Sequence, residues 1–101
     1  MQTNNYNLEQ IKRIETYESL FDHLTNLVNH DTNVIYQASF QQQLKQLLDY
    51  YQSNLWLADF TDDHNGLLPN TLKRGILSED GIYNFITSID EQVFKQIIKR
   101  K

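Results

Sequence analysis

Two groups of charged side chains hold most of the chemistry that this 101-residue chain could perform. Asp59, Asp62 and Asp63 stand just before His64, Asn65 and Gly66, and Lys73 and Arg74 stand just before Glu79 and Asp80. Oxygen donors leading into a glycine invite comparison with a calcium loop, whose sixth position is a turn-forming glycine. With Gly66 at that position, Thr61, Asp63 and Asn65 fall at positions one, three and five. Pro69 then takes the ninth, and Leu72 takes the twelfth, where a bidentate Glu is required. The ligand set is incomplete, so the stretch reads as a solvated turn held by Asx hydrogen bonds.

Other chemistries fare no better. His23, His30 and His64 are widely spaced, and none falls in an arrangement that would put two metal ligands on one helix face. Cysteine is absent, which removes thiol nucleophiles, thiolate metal sites and disulfides. No serine lies in a glycine-flanked elbow, and no glycine loop is built to cradle phosphate. The expectation is a protein that is not an enzyme and carries neither metal nor cofactor. The remaining polar feature is the Lys73-Arg74 pair. It could receive a phosphate or a partner's carboxylate, or it could pair with Asp59, Asp62 or Glu79 and lock its own segment in place. The structural role is preferred.

Composition narrows the class further. A 12.0 kDa chain forms one domain and can bury roughly two thirds of its unfolded surface without staples. The net charge of -4 disfavours a phosphate-dominated nucleic-acid binder, since the only basic run is Lys95, Lys99, Arg100 and Lys101. No apolar run approaches the roughly 20 residues of a membrane span. The N-terminal MQTNNYNLEQ has neither the basic start nor the apolar stretch of a secretion signal. The expected location is the cytoplasm.

The elements that must position these side chains are helical. Asn7 is a good N-cap, with Gln10 placed to complete a capping box. Ile11, Ile14, Tyr17, Phe21, Leu24 and Val28 then recur at steps of three and four, on one face. Glu9, Lys12, Arg13, Glu15, Glu18 and Asp22 are assigned to the wet side. The stripe is read as a face packed on its own domain, with a homodimer seam as the alternative. Residues 29–33 form a polar break. A second helix comes next, with Val34, Ile35, Ala38, Phe40, Leu44, Leu47, Leu48 and Tyr51 on its apolar side. The short link implies an antiparallel hairpin over about residues 8–52.

Beyond Tyr51 the period breaks. Ser53 can cap a short helix whose Leu55, Trp56, Leu57 and Phe60 make a face too apolar for solvent, with Trp56 plugging the hairpin's open end. Gly66 suits a positive φ, and Pro69 suits the first turn of another short helix that Gly75 would end. Ser78 caps the last helix, where Ile82, Phe85, Ile86, Ile89, Val93 and Ile97 share a face. Ser88-Ile89-Asp90 is a place where that helix could break and be recapped.

The block from Leu68 to Tyr83, LPNTLKRGILSEDGIY, matches the pattern LP-x-x-LKRG-[IV]-LSED-x-[IV]-Y, and Tyr50 to Trp56 matches YY-x-S-x-x-W. In these motifs the chain resembles a family of small bacterial proteins known as domain of unknown function 4298. The likeness extends over nearly the whole chain and implies a small all-helical protein. It implies no activity. At the open position of the pattern the resemblance implies Ala, and Gly81 departs from that.

The sequence therefore predicts one all-α domain, an antiparallel helical hairpin packed against a C-terminal unit of short helices at about residues 53–101. The expected function is a protein-interaction or regulatory module, with an unidentified protein partner, no nucleic acid and no membrane. Its candidate surface is Asp59, Asp62, Lys73, Arg74, Glu79 and Asp80. The alternative is a small-molecule or metal-binding accessory protein with a cleft around Trp56, Asp59, Asp62, Lys73 and Arg74.

Overall fold

Asn7 starts the first helix as its residue type dictates, its Oδ1 accepting a hydrogen bond from the Gln10 amide at 3.1 Å. The computed structural model describes residues 6–99, with side chains as far as Ile89. Among these residues there are four α-helices, two short 3-10 helices and no strand. The fold is all-α.

Helix α1 spans Leu8–His30. Its stripe is covered by the chain's own residues: Ile14 and Leu24 are fully buried, Tyr17 stacks on Tyr50 and Phe21 meets Phe85 edge-on. After it, Asp31 accepts from the Asn33 amide at 3.0 Å and starts a 3-10 helix at Thr32–Tyr36, not a long second helix. Thr, Asn, Val, Ile and Tyr are mediocre helix formers, and the extended backbone at Gln37 separates this turn from the next α-helix. Val34 and Ile35 are buried all the same.

Helix α2 spans Ala38–Tyr51 and buries Phe40, Leu47 and Tyr50. The Tyr17 and Tyr50 rings lie parallel with centroids 4.1 Å apart. With only a short link between the helices, that stack requires α2 to run back along α1.

Helix α3 spans Asn54–His64 and is capped by Ser53, whose Oγ accepts from the Trp56 amide at 3.3 Å. Trp56 is 8% exposed, stacked on Phe60 and edge-on to Tyr51, while its Nε1 donates to the Ile76 carbonyl at 2.9 Å. It is a core residue that ties α3 to the segment after it. Leu55 and Leu57, expected beside it, are exposed. Each helical step turns the side chain by about 100°, so the two neighbours of an inward residue point to its flanks.

Gly66 has a φ of 74°, the left-handed turn that a glycine permits. The expected short helix at Pro69 is a single turn closed by the Leu72 amide on the Pro69 carbonyl at 3.2 Å. Asn and Thr at its centre favour turns, and the Arg74 side chain takes the carbonyls of Pro69 and Leu72. A second 3-10 helix, Gly75–Leu77, buries Ile76 and Leu77. Gly75 has an ordinary φ, and its role is closeness: a Cβ there would lie 3.2 Å from Glu18 Oε2.

Helix α4 spans Glu79–Lys99 and is unbroken through Ser88-Ile89-Asp90. Ile82 and Ile89 are buried on its inner face, so breaking it there would interrupt a continuous packed stripe. The side chains of Val93, Ile97, Lys95 and Lys99 lie outside the described residues, as do Arg100 and Lys101 altogether. With 21 residues, α4 nearly equals α1 in length, so the C-terminal part is not made of short helices alone. The tightest part of the core, Ile14, Leu24, Phe40, Leu47, Ile76 and Ile82, draws on α1, α2, α4 and the second 3-10 helix.

Candidate functional site

Asp59, on the inner face of α3, is fully buried and receives four hydrogen bonds. Arg13 donates twice, from Nε to Oδ2 at 3.0 Å and from Nη2 to Oδ1 at 2.6 Å, the planar fork that a guanidinium offers a carboxylate. Gln10 Nε2 donates to Oδ1 at 3.0 Å and the Tyr50 hydroxyl to Oδ2 at 2.6 Å. Gln10 Nε2 also reaches Asp62 Oδ2 at 2.8 Å, so three helices meet on one carboxylate. Burial by itself would raise the Asp59 pKa. The hydrogen bonds from Arg13, Tyr50 and Gln10 outweigh it and hold the group below its ordinary value. Burial first, and the bond to Asp59 second, push the Tyr50 hydroxyl well up. Arg13 is raised chiefly by its bond to Asp59.

A second polar junction lies further along α1. Glu18 is 6% exposed, and its Oε1 accepts from the Ile76 amide at 2.7 Å. A groove of about 360 Å³ opens beside it, with Glu15, Glu18 and Asp22 on the α1 side and Thr71, Leu72 and Lys73 opposite. Lys73 pairs with Asp22 at 3.0 Å between two largely exposed side chains. That bond raises the Lys73 pKa.

The basic pair is therefore split. Lys73 turns to Asp22, whereas Arg74 grips Asp63 and the carbonyls of Pro69 and Leu72. Neither bonds Asp59, Asp62 or Glu79, the partners expected from proximity in sequence. Asp59 and Asp62 are instead drawn to Gln10 and Arg13, some fifty positions earlier. As a result Asp59 is absent from the candidate surface. Trp56, Asp59, Asp62, Lys73 and Arg74, expected to share a cleft, are each engaged elsewhere. Glu79 and Asp80 are exposed in the first turn of α4, where the helix dipole favours carboxylates.

Sequence reasoning missed Gln10, Arg13, Glu18 and Tyr50 as members of these junctions. A signal existed for Glu18, which is four residues after Ile14 and three before Phe21 and so lies beside the apolar stripe. Arg13 and Glu18 were assigned to solvent because charged residues are rarely buried unless paired, and their partners lie far away in sequence. Among the described residues, no group of three or more His, Asp or Glu side chains is arranged to hold a metal ion. Nor is any helix among them long and apolar enough to cross a membrane.

Residues 9–99 match the profile of a family described as domain of unknown function (DUF4298). No curated protein and no solved structure matches the chain.

Proposed function

The chain belongs to the DUF4298 family, and from that premise we propose that it is a non-enzymatic protein-interaction module of the bacterial cytoplasm. Its contact surface is the groove between α1 and residues 71–73. The observation that carries this reading is the contrast between the two junctions. Asp59, the most buried carboxylate, has both oxygens filled by Arg13, Gln10 and Tyr50, which suits a structural post and not a proton carrier. The groove, by contrast, keeps Glu15, Lys73 and Thr71 exposed around a concave wall. The Lys73–Asp22 pair across it is exposed, and such pairs contribute little to folding. A partner could exchange it at small cost.

Photocrosslinking in the native host tests this. A crosslinking residue at Thr71 is expected to capture one recurrent protein, and the same residue at Lys45, on the outer side of α2, is expected not to. Equal capture from both positions, or none from Thr71, would refute the assignment.

A further inference from the structure

Glu18 is a buried carboxylate with no cation bonded to it among the described residues; Lys73 acts on it only through space while bonded to Asp22. Buried carboxylates are ordinarily paired with a cation, because removing an ion from water is costly unless charge and hydrogen bonds are both met. Asp59 obeys this rule through Arg13. Glu18 is nearly as buried but is in no ion pair among the described residues. Its single hydrogen bond there comes from the Ile76 amide to Oε1. The second oxygen takes no donor from the described residues, and Glu18 lines the groove. Gly75 leaves that oxygen uncovered, since a Cβ at this position would stand 3.2 Å from it.

The surroundings define the missing group. Glu15 and Asp22 flank Glu18 one turn away on either side, and Lys73, the one cation of the lining, is already bonded to Asp22. Three carboxylates against one ammonium leave the groove with an excess of two negative charges. Its volume of about 360 Å³ is at the lower end of the roughly 300–1,000 Å³ of small-ligand sites. That is room for a side-chain head group and not for a large ligand. Leu72 adds an apolar wall against which a side-chain stem can lie. A bare divalent ion is disfavoured, since no metal-holding cluster is present among the described residues.

We propose that this groove is a receptor for one basic side chain of a protein partner, with its ammonium or guanidinium donating to Glu18 Oε2. Glu15 supplies a second acceptor, and Asp22 a third when Lys73 swings away. The proposal rests on the interaction reading above and assigns the partner's chemistry: a lysine or arginine presented from an exposed segment.

The test uses the full chain and a defined probe, N-acetyl-arginine N-methylamide, followed by amide NMR. Saturable shifts are expected at Gly75, Ile76 and Leu72, with none for the neutral N-acetyl-glutamine analogue. Glu18→Gln keeps an oxygen for the Ile76 amide but loses the charge. It should weaken the probe about tenfold or more, the scale of one charged hydrogen bond. Glu15→Gln, a surface change that leaves the fold untouched, should weaken it by a smaller factor. Shifts that do not saturate, that spread equally over Asp31, Asp49 and Glu79, or that persist undiminished in both variants would overturn the proposal. Crosslinking from Thr71 without probe binding would leave the interaction module standing and remove the cation receptor. Probe binding without any crosslinked protein would do the reverse.

Discussion

Asp59 shows how one residue can join three helices. Its carboxylate is worth more to the fold charged than neutral, because two of its partners are the nitrogens of one guanidinium. Its folded pKa is depressed, so its stabilisation is present above the ordinary carboxylate range and is lost as pH falls through that range toward the folded value. The sensitive window is therefore acidic, below about pH 4. Asp59→Asn is expected to cost about 2–4 kcal/mol at neutral pH, less than the full loss of a buried pair because Arg13 keeps some contact with water. Urea titrations at pH 7 and pH 3 should show the gap between wild type and variant narrowing at the lower pH. An unchanged gap would mean that the charge is not what holds the junction.

At the scale of elements, the stretch between α3 and α4 keeps its shape without regular structure. The turn at Pro69 has one backbone hydrogen bond of its own, and Arg74 supplies the rest by bridging Asp63 to two carbonyls. Lys73, its neighbour, touches only the surface of α1 at Asp22. The two cations should separate cleanly by hydrogen exchange. Arg74→Gln is expected to lower protection from about Asp63 to Leu72 while α1 and α2 keep theirs. Lys73→Gln should leave that protection as it was. Equal loosening by both variants would return them to a shared role. The motif around them was legible in sequence, and so were the Asn7, Ser53 and Ser78 caps, since each acts on backbone within three residues. The partners of the cations were not legible: Asp22 is 51 positions from Lys73, and nothing in local spacing selects it over Asp62.

For the whole molecule, the helical class and most of the apolar stripes could be read from periodicity, because burial imposes a period of 3.6 on any helix packed along its length. Val34 and Ile35 show the limit of that reading: both are buried as the stripe requires, but on a 3-10 turn, since burial does not dictate the hydrogen bonds beneath it. Trp56 draws the parts together, with its ring against Tyr51 and Phe60 and its indole nitrogen on Ile76. Trp56→Ala should therefore cost about 3–5 kcal/mol, a large fraction of the stability of a domain this size. Thermal or urea unfolding would read this directly, and a melting temperature equal to that of wild type would contradict it.

The bond from the Ile76 amide to Glu18 spans 58 positions, and those from Arg13 to Asp59 span 46. During synthesis, α1 and α2 are made before either of these partners. Their helices can form within microseconds, but a carboxylate and a guanidinium on the inner side of α1 have nothing to bond until α3 and then residues 75–77 arrive. Until then water is the better host for both groups, and the early hairpin stays loosely closed. Locking is expected to come late, first at Arg13 with Asp59 and then at Glu18 with Ile76. A free chain truncated just short of Ile76 is thus expected to hold its first helix only at the leading end.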